Sequence, residues 1–418
     1  MKLVAGYLLP ETSNQKQVTR NFNFICYMEI NLFFEPVNKP LIEKYHETGG
    51  KRIVDLIDIY TDKANFPDFN QKNIALIGVC EGRHAIDNEG TAHGPDIIRE
   101  QLYKLFHHWP GVKIVDLGNI RQGHAVEDTY FALSQVISVL IREKVLPIIM
   151  GGSQDLTYAN YMGYENIGQL VNIVSVDPSF DLGKEEESLN SRSYLSKIIM
   201  HQPNYLFNFT NMGYQTHFIE YESVDLMKNL LFDVYRLGVV KSNISEAEPI
   251  VRNADILSFD ISSIQASDAP GNGNTGPNGF TGEEACRIAR YAGMSDKLSS
   301  IGFYETNPIF DIQQVTSQLV AQMIWYFIEG FANRKNDVPV SGSHDFARYI
   351  VKNESQAEEI VFLKSKKTER WWIDLSYGRE KNKQFERHYF VPCSKDDYEL
   401  AKKEEIPDRW WQFYQKLM

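Results

Sequence analysis

Four acidic residues share one setting in this chain, because each one ends or closely follows a short apolar run rich in β-branched residues. They are Asp177, Asp181, Asp260 and Glu305. Such runs are typical of buried parallel strands, whose carboxyl ends meet at one edge of a sheet, where α/β proteins build their sites. The pattern therefore predicts one crevice that gathers four carboxyl groups.

Carboxylates gathered in this way bind a cation, or else at least one of them takes up a proton or pairs with a lysine or arginine. The alternative is a purely structural role, in which the aspartates only cap loops at strand ends by accepting hydrogen bonds from backbone amides. The residue types alone leave both interpretations open.

The elements that position these residues alternate regularly between residues 73 and 331. Strands are predicted at 73–80, 112–117, 145–150, 170–176, 205–209, 255–260 and 298–304. Helices are predicted at 94–106, 129–144, 156–164, 194–201, 223–231, 282–293 and 315–331. Strands that alternate with helices imply right-handed crossovers, so we expect a three-layer α/β/α fold with a mainly parallel sheet.

The regular pattern divides the chain into three parts. Residues 1–72 are predicted to be an extension that wraps the core, 73–333 to be the core domain, and 334–418 to be an aromatic-rich C-terminal extension. Met28 begins a stretch that would serve equally well as a natural start, so we expect residues 1–27 to be either dispensable or an artefact of the assigned start site.

The C-terminal extension holds four of the six tryptophans, as two adjacent pairs. They are Trp371, Trp372, Trp410 and Trp411. Large aromatic residues usually pack within their own chain, so folding back on the core is the preferred interpretation. The same residues are also candidates for binding a protein partner.

Composition excludes several classes of function. With 43 Lys and Arg against 55 Asp and Glu, the formal charge is −12, which argues against a nucleic-acid-binding surface or an anionic-membrane surface. The four cysteines are far apart and show no zinc-binding spacing, which is typical of reduced thiols in a cytosolic protein. No apolar stretch approaches the roughly 20 residues of a membrane span. We expect a cytoplasmic protein.

Ordered motifs along residues 73–331 resemble the ureohydrolase superfamily, which includes arginase, agmatinase and, most similar in its loops, formimidoylglutamase. The supporting motifs are Gly94-Pro95-Asp96-Ile-Ile-Arg99, Gly151-Gly152, Asp177 with Asp181, Ser258-Phe-Asp260, Ala269-Pro-Gly271 and Glu305-Thr-Asn-Pro308. The resemblance implies an arginase-like fold and a homo-oligomer. It also implies two manganese ions that activate a hydroxide. By the same resemblance, Glu305 would bind the cationic nitrogen group of the substrate.

Three positions depart from the family pattern. Gln154 and Ser179 stand where the family has histidine, and Ser262 stands where it has aspartate. By the family's scheme, one ion would still have Gln154 and three aspartates as ligands. Those aspartates are Asp177, Asp181 and Asp260. The second ion would lose two ligands and keep only the two shared aspartates.

Oxygen-only ligands suit hard cations, and a site without imidazole loses much of its preference for manganese. We therefore expect no binuclear manganese centre, and either no metal or one weakly held Mn, Mg or Ca ion. The first hypothesis is a pseudoenzyme that acts as a binding or scaffold protein. The second is a divergent hydrolase of C–N bonds in linear amidines that uses one metal ion and Glu305.

Overall fold

The computed structural model describes residues 30–184, 187–340, 344–353, 358–377 and 382–417. The prediction about residues 1–27 lies outside this part of the chain. None of the described helices combines the length and the apolarity that crossing a bilayer requires.

A ten-stranded sheet forms the centre of the molecule. Its strands are β1 (Phe34–Glu35), β2 (Asp58–Ile59), β3 (Ile74–Val79), β4 (Ile114–Ile120), β5 (Leu146–Met150), β6 (Val171–Val176), β7 (Leu206–Tyr214), β8 (Asp233–Arg236), β9 (Ile256–Asp260) and β10 (Ser300–Tyr304). The order is β1-β4-β3-β5-β10-β9-β6-β7-β8, and β2 also pairs with β4. Every pairing is parallel except that of β1 with β4. The predicted mainly parallel sheet is confirmed.

Helices cover both faces of this sheet, and a separate apolar cluster lies under each layer. The helices of the described chain up to residue 332 are Lys39–Glu43, Ile53–Leu56, Gly94–Tyr103, Val126–Arg142, Leu156–Glu165, Tyr194–Met200, Tyr221–Asn229, Leu237–Ser242, Ala247–Arg252, Gly282–Gly293 and Val315–Ala332. The strands β3, β5, β6, β9 and β10 are buried at every position. That burial explains why they are mainly apolar and show no alternation of apolar with exposed polar residues.

Residues 30–72 contribute to the main sheet, although the sequence predicted no strand there. Phe34 pairs with Ile120, and Asp58 pairs with Val115, so β1 and β2 extend the sheet beside β4. These strands have only two residues each, which is too short for a period of two to be visible in the sequence.

The C-terminal extension forms a module of its own, with an antiparallel sheet that the sequence pattern did not predict. Its strands β11 (Phe346–Asn353), β12 (Glu358–Ser365), β13 (Trp371–Asp374) and β14 (Phe390–Cys393) pair in chain order. The helices Lys395–Ala401 and Asp408–Lys416 complete it.

Three of the four candidate partner-binding tryptophans are buried within this chain. Trp371, Trp372 and Trp410 are 8%, 3% and 3% exposed, whereas Trp411 is 46% exposed. Trp371, Trp372 and Trp410 therefore pack within their own chain, as the preferred interpretation predicted. The prediction of a protein partner now depends on Trp411, which stays available at the surface.

The module packs against the edge of the main sheet where the parallel strands begin. Arg252, just before β9, donates hydrogen bonds to the carbonyl oxygens of Trp371 and Cys393, and its guanidinium lies 4.3 Å from the centre of the Trp372 ring. Arg387 forms an ion pair with Asp255, which also precedes β9. The module therefore lies at the opposite edge from the strand ends that carry the acidic residues.

A buried histidine in this interface predicts acid sensitivity. The His388 ring is 1% exposed and stacks on Phe207, with ring centres 3.9 Å apart. Burial, followed by the positive charges of Lys297, Arg387 and Lys416, lowers the pKa of His388 to about 2. A lowered pKa means that the unfolded chain binds the proton more tightly, so stability is lost as the pH falls below about 6.5.

We expect His388→Phe to reduce the loss of unfolding free energy between pH 7.5 and pH 5 by about 2 kcal/mol. Urea unfolding at both pH values, followed by tryptophan fluorescence, measures this difference. His217→Phe, at an exposed position, should leave the pH dependence unchanged. An acid response of His388→Phe equal to that of the native chain would contradict the assignment.

Candidate functional site

The predicted acidic residues meet in one crevice at the carboxyl edge of the main sheet. They follow or end the strands β6, β9 and β10, which are consecutive in the sheet, and Gln154 follows β5, the next strand beside β10. The crevice has a volume of about 410 Å³. Its lining includes Gln154, Ser179, Asp181, Asp260, Ser262 and Glu305, and Asp177 lies directly beneath. All seven candidate positions in these strand ends therefore come together.

Unusual backbone conformations hold the residues at these strand ends. Gly151 and Gly152 have φ of 73° and 78°, and a Cβ on Gly151 would lie 2.6 Å from the Pro95 ring. Asp181 and Glu305 have φ of 52° and 70°, backbone angles that residues other than glycine rarely adopt. Such strain costs about 1–3 kcal/mol for each residue and is typical of functional sites.

Asp177 accepts hydrogen bonds from two of the residues that depart from the family pattern. Its Oδ1 accepts from the backbone N–H of Ser179 at 2.7 Å, and its Oδ2 accepts from Nε2 of Gln154 at 2.7 Å. An amide oxygen turned toward Asp177 would bring two acceptors into contact. In this structure Gln154 therefore faces the cluster as a hydrogen-bond donor.

Asp181 and Asp260 are bonded in the same way. The Ser179 hydroxyl donates to Asp181 at 2.5 Å. The backbone N–H and the hydroxyl of Ser262 donate to the two oxygens of Asp260 at 2.7 and 2.6 Å. Asp177 and Asp260 therefore both accept hydrogen bonds from backbone N–H groups of the loops that follow them, as the loop-capping interpretation predicted. The same two residues also lie together at the crevice.

Burial and mutual repulsion favour the protonated forms of these carboxyl groups. Burial first, and then the charge of Asp177, raises the pKa of Asp181 and of Asp260 well above the ordinary value. Burial also raises the pKa of Asp177, and that of Glu305 to about 7. The crevice therefore has a strong electrostatic preference for a cation or for shared protons.

Glu305 is held by two donors. Its Oε1 accepts from the backbone N–H of Gln154 at 2.8 Å, and its Oε2 accepts from Nδ2 of Asn88 at 2.7 Å. The same Asn88 amide donates to the Glu305 carbonyl oxygen at 3.0 Å. Sequence reasoning missed Asn88, which lies 217 positions away in an early loop with no periodic or motif signal.

We expect Asn88→Ala to lower the free energy of unfolding by about 1–3 kcal/mol, because the largely buried Glu305 carboxyl loses one of its two donors. Denaturant unfolding of the two proteins measures the change. The surface substitution Asn333→Ala is the control and should stay within about 0.5 kcal/mol of the native chain. Equal stability of Asn88→Ala and the native chain would show that Glu305 does not depend on Asn88.

The donor set does not fit a two-ion manganese centre. Within the described residues, no group of three or more His, Cys, Asp or Glu side chains is arranged to hold a metal ion. The residues at positions 154, 179 and 262 occupy carboxylate lone pairs with N–H and O–H groups. Imidazole, which suits transition metals, is replaced by an amide and a hydroxyl.

The sequence of this chain is similar to that of known proteins. The model of the arginase family matches residues 72–329. The formimidoylglutamase of Staphylococcus haemolyticus is 25% identical over 313 residues, which cover 68% of this chain and 99% of the relative. That of Streptococcus gordonii is 26% identical over 286 residues, which cover 62% of this chain and 85% of the relative.

Solved structures of similar fold include Trypanosoma cruzi formiminoglutamase with Mn²⁺, with a TM-score of 0.61 and 18% identity over 68% of this chain and 99% of that one. Bacillus subtilis formimidoylglutamase gives a TM-score of 0.59 at 18% identity, over 63% of this chain and 88% of that one. At such identities these structures support the fold alone. Since the family model covers more than half of the sequence, this chain belongs to the arginase family.

Proposed function

We propose that this arginase-family chain is a binding protein that has lost two-manganese hydrolysis. Its crevice would hold a small ligand carrying an ammonium, amidinium or guanidinium group against Asp181, Asp260 and Glu305. One observation carries the proposal: the three departures from the family pattern, Gln154, Ser179 and Ser262, donate hydrogen bonds into the carboxyl cluster where metal ligands would be needed.

Charge and space both support a cationic ligand. The crevice has about 410 Å³, enough for a molecule of amino-acid size, and the cation that lines it, Arg192, is paired with Asp87 and Asn274 at 3.0 and 2.7 Å. A ligand cation would relieve the repulsion among buried carboxyl groups that otherwise raises their pKa values. No hydrolytic step is needed for this stabilisation.

Two measurements on the full chain test the proposal. Metal content after incubation with excess manganese and removal of unbound ion should show fewer than two ions per chain. Thermal unfolding with a panel of linear amidines and guanidines should show stabilisation, with no release of formamide or urea. Two stoichiometric manganese ions, or robust release of either product, would overturn the proposal.

The second candidate is a divergent hydrolase of linear amidines that uses one metal ion. Two observations favour it: the crevice keeps Asp177, Asp181, Asp260 and Glu305 together, and curated relatives that the chain matches over most of their length are formimidoylglutamases. Gln154 would then have to turn its amide oxygen toward the ion. This function requires formamide release that depends on added metal and is lost in Asp260→Asn.

A further inference from the structure

A second cavity lies at the other edge of the main sheet, between the core and the C-terminal module. Its volume is about 310 Å³. The family model ends at residue 329, whereas β13, β14 and the connecting segment 337–340 form most of one wall, so the cavity lies largely outside the matched domain.

Basic side chains are concentrated around this cavity and share few acidic partners. Arg252 and Arg370 both pair with Glu248, at 3.1 and 2.9 Å. Lys297 and Arg387 both pair with Asp255. These four cations share two carboxylates as ion-pair partners, and the lining adds three further carboxyl groups, those of Asp296, Asp337 and Glu386.

The acidic groups that line the cavity are already bonded elsewhere or lie at its surface. Asp296 accepts from the backbone N–H groups of residues 336 and 337, and Asp337 accepts from the hydroxyls of Ser365 and Thr368. Glu386 is exposed. The hydrogen-bonding capacity that remains is therefore mainly that of donors, including Nη2 of Arg370, which has no partner among the described residues.

The rest of the lining is flat and apolar. Trp372, Tyr389 and Pro392 belong to it, and the guanidinium of Arg252 lies 4.3 Å from the centre of the Trp372 ring. An engineered cavity of about 150 Å³ is enough for one benzene molecule, so this one has room for an aromatic ring with a charged substituent. Aromatic walls beside guanidinium groups favour a ring that carries a negative charge.

We propose that the cavity formed by Arg252, Lys297, Arg370, Arg387 and Trp372 is a binding site for a small aromatic carboxylate. The ring lies against the tryptophan wall, and the carboxylate accepts hydrogen bonds from the basic side chains. The site is separate from the crevice at the carboxyl edge, and its occupancy does not depend on the function proposed for that crevice.

Calorimetric titration of the full chain with indole-3-carboxylate tests this assignment, with neutral indole and inorganic phosphate as comparison probes. The carboxylate should bind at least about tenfold more tightly than either probe, since charge-assisted hydrogen bonds and ring packing are both needed. Arg387→Gln should weaken its binding about tenfold, because one charge-assisted donor is lost.

Arg287→Gln is the matched control, because Arg287 is also an ion-paired arginine with similar side-chain exposure, 42% against 48% for Arg387, and lies outside this cavity. It should leave the binding unchanged. Equal binding of indole, equal binding of phosphate, or full binding by Arg387→Gln would each overturn the proposal. Binding retained in Asp181→Asn would show that the ligand is not in the crevice, whereas binding lost in that variant would also overturn it.

Discussion

A chain that carries Gln154→His, Ser179→His and Ser262→Asp together is expected to become manganese-dependent in its stability. Without metal it should be less stable than the native chain, because a fifth carboxylate joins the buried cluster of Asp177, Asp181, Asp260 and Glu305. With manganese at a thousandfold excess over its dissociation constant, the free energy of unfolding should rise by about 4 kcal/mol.

The three substitutions should create manganese binding because they replace hydrogen-bond donors with metal-binding groups. In the native chain, Gln154, Ser179 and Ser262 direct N–H and O–H groups at the aspartate oxygens. Imidazole nitrogens and a carboxylate would present lone pairs instead, and they would restore the ligand types that transition metals prefer. Thermal unfolding with and without manganese, together with metal content, measures the conversion.

Adding Asp177→Asn to the triple variant provides the control, since it replaces one of the two aspartates shared by both ion positions with a neutral residue of the same shape. This quadruple variant should lose the response to manganese. The explanation is wrong if the native chain responds to manganese as strongly as the triple variant. It is also wrong if the quadruple variant keeps the response.

Arg99→Met is expected to lower the free energy of unfolding by about 3–5 kcal/mol, because it leaves a buried carboxylate without its partner. Arg99 is fully buried, and its Nε and Nη2 donate to the two oxygens of Asp116 at 2.8 and 3.1 Å. The neighbouring Asp116 raises the pKa of Arg99 against the opposing effect of burial. The guanidinium therefore stays charged inside the core.

The double variant Arg99→Met with Asp116→Asn tests whether the lost partner is the cause. It should be more stable than Arg99→Met alone, because no buried carboxylate is left without its cation; Asp96, which also pairs with Arg99, is 53% exposed. Urea unfolding of both proteins gives the difference. Arg287→Met, at a half-exposed helix position, should change stability by no more than about 0.5 kcal/mol. Equal stability of the single and double variants would rule out this cause.

Local patterns in the sequence were enough to predict seven of the ten strands of the main sheet, whereas β1, β2 and β8 were not predicted. The helix at 282–293 has the observed bounds, and β5, β6, β9 and β10 were predicted within two residues, because apolar runs of this length leave few other conformations in an α/β pattern. β7 is the larger difference: it continues to Tyr214, five residues past its predicted end, through the polar residues Thr210 and Asn211. Those polar residues are buried in the sheet, which no local signal indicates.

By itself, the sequence determined the family, the order of the strands along the chain and the position of the four acidic residues at strand ends, since each depends on residues near one another in the chain. The tertiary structure alone decided what those residues contact. Asn88 reaches Glu305 across 217 positions, and Arg387 reaches Asp255 across 132. Such contacts depend on how separate elements pack. For the same reason, only the fold shows that Gln154 donates into the carboxyl cluster and that the C-terminal module lies at the opposite edge of the sheet.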